Sequence, residues 1–134
     1  MTLEVHVASI KSLRLGDYTK TPGGRFKDAG DFSGEWFRDD ILEPAYDAAK
    51  AEGVILEVSL DGVMGCPPSF TEEVFGGLVR KKREDIRGTL RVVSTDDRAE
   101  MEDANLDIKN AIKRALARRD ARANEFINNE VEDL

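Results

Sequence analysis

The scarcest chemistry in this chain is its single cysteine and single histidine. One cysteine leaves no internal disulfide and no multi-cysteine zinc site, and one histidine leaves no paired-histidine metal motif. Basic charge is also in deficit: twenty Lys and Arg stand against twenty-seven Asp and Glu, for a formal net charge of -7. A phosphate backbone is held largely by excess positive charge, so this balance argues against generic nucleic-acid binding and favours a basic protein partner. No apolar run approaches the roughly 18 residues of a membrane span. The opening Met1-Thr2-Leu3-Glu4 lacks the basic and apolar regions of a signal peptide. These absences predict a cytoplasmic protein without a membrane segment, a metal or a cofactor.

What is present is a globular composition, 40% hydrophobic and 35% charged over 134 residues. A chain of this length forms one domain and buries roughly two-thirds of its unfolded surface. Residues 3–10 alternate as a strand does, with Leu3, Val5 and Val7 on one face and His6 on the other. Lys11 to Asp31 reads as loop, punctuated by Thr21-Pro22-Gly23-Gly24 and Gly30, with room for a second strand over 13–18 in a hairpin with the first. Ser33 is placed to cap a helix whose stripe, Trp36, Phe37, Ile41, Ala45 and Ala48, leads to Gly53. Pro44 has no N–H and crowds the preceding turn, which predicts one bent element.

Val54 to Leu60 is mostly apolar, and suits a central strand covered on both faces. Asp61-Gly62 turns the chain, and Cys66-Pro67-Pro68 holds it extended. Ser69-Phe70-Thr71-Glu72 then has the spacing of a capping box for a helix that runs to about Ile86 with Val74, Phe75, Leu78 and Val79 inward. Gly88 ends that helix, and residues 89–94 read as another strand. Asp96 or Asp97 caps a long last helix striped by Ile108, Ala111, Ile112, Ala115 and Leu116. Strands alternating with helices predict an α/β fold. The expected architecture is one domain over residues 1–126, with a mostly parallel or mixed sheet of about four strands and helices packed on it. The long C-terminal helix packs across the sheet, and residues 127–134 form a frayed acidic tail.

The segment from Leu60 to Glu73 concentrates the candidate chemistry, because it joins a strand end, a stiff loop and a helix start. A helix N-terminus exposes N–H groups and partial positive charge, so Ser69 and Thr71 are candidate phosphorylation sites there. Met64, Pro68, Ser69, Phe70, Thr71 and Glu72 are the candidate partner-binding residues. Cys66 lies near the same helix start, but without a neighbouring base or a resolving cysteine it reads as a small buried residue. Gly23-Gly24-Arg25-Phe26-Lys27 is glycine-rich and basic, yet lacks the Gly-Lys-Ser/Thr ending of a nucleotide loop and reads as an interface loop. Arg80-Lys81-Lys82-Arg83 points all round its helix and reads as a solvated helix end. Arg114, Arg118, Arg119 and Arg122 add a basic stretch on the last helix. Gly76-Gly77 inside a helix costs about 1 kcal/mol per glycine, and implies a close approach to the sheet or to another chain.

Several of these segments resemble one family. Gly24-Arg25-Phe26, Ser33-Gly34-Glu35-Trp36-Phe37-Arg38, Leu42-Glu43-Pro44-Ala45 and Asp61-Gly62-Val63 are similar to the bacterial STAS-like domain of unknown function. The most specific part of the resemblance is Ser69-Phe70-Thr71-Glu72-Glu73-Val74-Phe75-Gly76-Gly77-Leu78-Val79. That family resembles in turn the STAS domain of anti-sigma-factor antagonists. The wider resemblance implies a small α/β fold that switches partners, with a serine before the second helix phosphorylated by an ATP-binding kinase-like anti-sigma factor. The wider family's Asp-Ser-Ser-Gly-Leu is replaced here by Pro67-Pro68-Ser69-Phe70, which lacks the aspartate and places Ser69 one residue beyond the modified position. The resulting expectation is a non-enzymatic regulatory module that docks a partner through the loop 64–69 and the start of the second helix. The competing expectation is an acidic component of a defence or toxin–antitoxin type system that neutralises a basic partner.

Overall fold

The computed structural model describes the backbone of residues 9–132 and the side chains of residues 9–127. Residues 3–8 of the expected opening strand, His6 among them, lie outside the described residues. Strand β1 spans Ile10–Arg14, and the chain then enters a 3-10 turn at Leu15–Asp17. A strand over 13–18 is therefore replaced by one ending at Arg14, because Leu15 turns inward and is fully buried.

Two more strands complete the sheet, β2 at Ile55–Ser59 and β3 at Leu90–Val93. The order is β1-β2-β3 and both pairings are parallel, so the described sheet has three strands where about four were expected. Register opposes Leu13 to Val58 and Val58 to Val92 on one face, and Ser12 to Glu57 and Glu57 to Arg91 on the other. Leu56, Val58 and Leu90 are buried in the core, while Ile55, Glu57 and Ser59 are half-exposed. The central strand is thus covered on one face, not on both. Its alternation of buried and half-exposed residues is the period-two pattern of a one-sided sheet.

The first crossover is one continuous helical path: α1 at Gly34–Trp36, a π turn at Phe37–Leu42 and α2 at Glu43–Glu52. Ser33 caps it, its Oγ accepting from the Trp36 N–H at 3.1 Å. Pro44 falls in the first turn of α2, and the turn before it widens to i→i+5 spacing, which accommodates the proline's missing N–H within a continuous helical path. That extra residue rotates the buried stripe by one position. Phe37, Leu42, Tyr46 and Ala49 are buried, whereas Ala48 is exposed. Gly53 ends the helix with φ 69°, the left-handed conformation that glycine adopts without strain.

The second crossover comprises α3 at Pro68–Thr71, a π turn at Glu72–Gly76 and α4 at Gly77–Lys82. It ends four residues before Ile86, because Arg83 turns left-handed (φ 56°) and its N–H returns to the Val79 carbonyl at 2.7 Å. Asp85 then caps a 3-10 turn at Ile86–Gly88 that leads into β3. The last helix, α5, spans Ala99–Glu132, so residues 127–132 of the expected frayed tail are helical. Its stripe of Met101, Ala104, Ile108, Ile112 and Leu116 is buried. This stripe lies chiefly on the 68–82 helix instead of crossing the sheet. No helix among the described residues is long and apolar enough to cross a membrane.

Candidate functional site

The loop after β2 is held from three sides. Asp61 accepts hydrogen bonds from Ser94 Oγ (3.0 Å), Thr95 N (2.9 Å), Thr95 Oγ1 (2.8 Å) and Asp96 N (3.2 Å), which ties the end of β2 to the segment after β3. Burial works to raise its carboxyl, but these donors outweigh burial and hold it down at about 2. Gly62 (φ 89°) lies on the Arg14 guanidinium, and an added Cβ would come within 2.5 Å of Nη2. Farther on, the Met64 N–H donates to the Lys20 carbonyl at 2.8 Å, and Arg98 donates to the carbonyls of Val63 (2.9 Å) and Met64 (3.3 Å).

This anchoring leaves the Met64 side chain 71% exposed. It stands at a groove of about 720 Å³ between the 64–68 loop and the first turns of α5. Leu106 on the α5 wall is 57% exposed, and Glu100, Asp103 and Asp107 supply carboxylates. None of these α5 residues stood out in the sequence. The signal was available, since Leu106 is a large apolar residue lying off the helix's buried stripe. Cys66 borders the groove but is itself buried. Desolvation, with Asp107 nearby, pushes its thiol up to about 12, so it stays protonated and unreactive at neutral pH.

The other sequence candidates separate. Pro67, not Ser69, occupies the N-cap position, and no side chain caps this helix. The expected capping box is absent because Pro68 takes the first helical position, which moves Ser69 into the turn. Pro67 O receives the N–H groups of Phe70 (3.0 Å) and Thr71 (3.2 Å), and Pro68 has none to give. Ser69 is half-exposed and Pro68 exposed, so both border the surface. Phe70 and Thr71 do not: Phe70 packs in the core 6.1 Å from the Phe37 ring, and Thr71 is fully buried with its hydroxyl donating to the Pro68 carbonyl. Neither a docking role for Phe70 nor modification of Thr71 fits that burial.

Glu72 turns away into a charged knot. Arg25 ion-pairs with Glu72 and reaches Glu73 Oε2 at 3.1 Å. Arg38 donates to Glu73 Oε1 at 2.8 Å and to the Glu73 carbonyl at 3.1 Å. Arg80 pairs with Glu72 from the far side. Partial burial pushes the Glu72 carboxyl up, but Arg80 and Arg25 outweigh it and hold it below its ordinary value. The Gly23–Lys27 loop is thereby fastened to its own helices, with Gly24 and Arg25 carbonyls accepting from Gly34 N and Glu35 N at 2.9 Å each.

The glycines fit the same knot. A Cβ on Gly34 would lie 2.8 Å from the Phe70 carbonyl, and one on Gly77 would lie 2.5 Å from Arg38 Nη1. Gly76-Gly77 therefore admits an arginine as well as a close helix. The two lysines of the basic run are consumed alongside: Lys81 reaches Asp39 and Glu43, and Lys82 reaches Glu43 and Asp47.

The profile of the STAS-like domain of unknown function matches residues 33–99. The chain belongs to that family. The match starts at the Ser33 cap and ends at the first residue of α5, so it covers both crossover helices, β2, β3 and the charged knot apart from Arg25. No curated protein and no solved structure gives a match. Within this STAS-like chain, the residues behind the resemblance, Gly34, Arg38, Glu72, Glu73 and Gly77, hold the two crossover helices together. The surface-exposed features are Met64, Pro67 and Pro68, with the carboxylates of α5 facing them.

Proposed function

We propose that this STAS-like chain is a non-enzymatic regulatory module that docks a partner protein in the groove between the 64–68 loop and the start of α5. The observation that carries the reading is the exposed Met64, held out by an anchored loop beside Leu106 and three carboxylates. An apolar anchor ringed by one sign of charge suits a partner segment with its own apolar side chain and flanking Lys or Arg. The long groove wall comes from a helix and the short one from a proline-stiffened loop, so little ordering entropy is lost on binding. Met64, Pro68 and Ser69 contact the partner, Phe70 supports the loop from below, and Glu72 fixes the helix beneath it. The wider STAS resemblance makes an ATP-binding, kinase-like protein the first partner to test, with Ser69 as the half-exposed hydroxyl that such a kinase reaches.

Binding of the adjacent gene's product, measured by titration calorimetry, tests this. Met64→Glu and Leu106→Glu are expected to weaken binding at least tenfold, and Ser69→Glu to change it. Equal affinity for all three variants and wild type would remove the loop from the interface.

A second reading, an acidic component neutralising a basic partner, rests on the net charge of -7 and the same carboxylate rim. It requires affinity dominated by charge, falling steeply with salt and responding more to Asp103→Asn with Asp107→Asn than to Met64→Glu.

A further inference from the structure

The other end of α5 carries a second surface. The buried stripe stops at Leu116, and every described side chain from Ala117 to Ile127 is exposed. The helix runs on to Glu132, roughly 24 Å past its last buried residue at about 1.5 Å per residue. A helix segment of that length is marginal in water on propensity alone. It nonetheless holds Phe126 at 64% and Ile127 at 56% exposure. Between it and the end of α4 lies a groove of about 960 Å³, with Val79 and Ala115 at its base and Phe126 and Ile127 at its outer end. Arg83, Arg118 and Arg122 line it, and among the described residues no ion pair engages them, whereas Arg80 and Arg119 are paired with Glu72 and Asp120.

The complement to this basic, apolar groove is in the same helix. After Arg122 the sequence turns acidic, with Glu125, Glu130 and Glu132. Charge therefore reverses along α5. Two copies laid antiparallel about residues 123–126 bring the basic stretch of each alongside the acidic stretch of the other. That arrangement also covers Phe126 and Ile127 of both chains. A foreign acidic helix would satisfy the arginines and leave the acidic stretch unanswered, and a parallel pair would oppose like charges. We propose that this groove is occupied by a second copy of the chain, through antiparallel pairing of the two α5 ends.

Sedimentation equilibrium of the full chain from about 1 to about 100 µM tests this. Wild type is expected to dimerise reversibly over that range. Phe126→Glu with Ile127→Glu is expected to weaken the dimer at least tenfold while leaving the circular dichroism of the folded body in place, because neither residue is in the core. Arg118→Glu with Arg122→Glu, and separately Glu125→Arg with Glu130→Arg, are each expected to give monomers, and mixing these two charge-reversed chains is expected to restore a dimer. Met64→Glu is expected to dimerise as wild type does, which separates this surface from the 64–68 groove. A monomeric wild type at the highest concentration overturns the proposal, as does a dimer indifferent to both sets of substitutions or a mixture that fails to pair. A monomer that instead binds a poly-glutamate peptide assigns the groove to an acidic partner and overturns it too.

Discussion

Ser33 accepts the Trp36 N–H at 3.1 Å and starts its helix, while Ser69 makes no side-chain hydrogen bond among the described residues. Replacing Ser33 with Ala is expected to cost about 1 kcal/mol, the usual worth of an N-cap, whereas Ser69→Ala should stay within about 0.5 kcal/mol. Urea unfolding midpoints of the two variants check this. Asp61 gives a sharper test through acid. Its folded value of about 2 lies below the ordinary aspartate value of about 3.9, so its contribution is present above that ordinary value. The contribution is lost as pH falls from about 4 through about 2. Asp61→Asn is expected to be less stable than wild type at neutral pH by about 1–3 kcal/mol, with the gap closing toward pH ~2, as measured by denaturation at several pH values. Thr71, buried and bonded to the Pro68 carbonyl, is expected to tolerate no Glu. Thr71→Glu should unfold the chain, as its circular dichroism would show, because a charge would enter the core unpaired.

Both crossover helices carry a π turn, and residues at those turns meet across the knot: Arg38 in the first and Glu73 in the second. Removing the Glu73 side chain takes from Arg38, whose side chain is 12% exposed, one of its two carboxylates and leaves it Asp39 at 3.0 Å. Glu73→Leu should therefore cost about 2 kcal/mol, and Arg38→Leu, which leaves Glu73 to Arg25 and Arg80, a comparable amount, with a double variant losing less than the sum. Double-mutant cycles by chemical denaturation measure that coupling. Gly77→Ala should be destabilising for the same reason, since its methyl occupies the space of the Arg38 guanidinium.

Helix existence was legible in the sequence: Ser33, Gly53 and the Ile108–Leu116 stripe locate helix ends and a buried face by local chemistry. The π turns were not. They shift the buried residue from Ala48 to Ala49, and nothing in an ideal 3.6-residue period anticipates one inserted residue. The destination of the basic run was half-legible. Asp39, Glu43 and Asp47 recur every four residues and form the acidic ladder that Lys81 and Lys82 meet. Pairing the two required knowing that their helices are neighbours.

At the scale of the whole molecule, the charged knot, the sheet core and the stripe through Leu116 hold the body, and beyond that point the described residues of α5 add to it the Arg119 hydrogen bond to the Arg83 carbonyl at 3.3 Å. Deleting residues 121–134 is expected to leave the unfolding midpoint of a dilute sample nearly unchanged, because the described residues removed are exposed. The site was legible in part: the stiffness of Pro67-Pro68 and the approximate place of the docking loop come from local sequence. Its opposite wall, Glu100, Asp103, Leu106 and Asp107, comes from a helix some forty positions later, and no local pattern brings it there.

The sequence by itself determined the alternation of strands and helices, the caps at Ser33 and Gly53, a mostly parallel or mixed sheet and the family. The first two depend on backbone preferences and on spacing within one element, the sheet on the order of the elements, and the family on motifs along the chain. Only the tertiary structure decided which residues reach solvent. It buried Phe70 and Thr71, placed Pro67 where Ser69 was expected to cap, turned Glu72 toward Arg25 and Arg80, and left Met64 exposed. Exposure is a property of what packs alongside, and here the neighbours are distant in the chain: Arg25, Arg38, Arg98 and the first turns of α5.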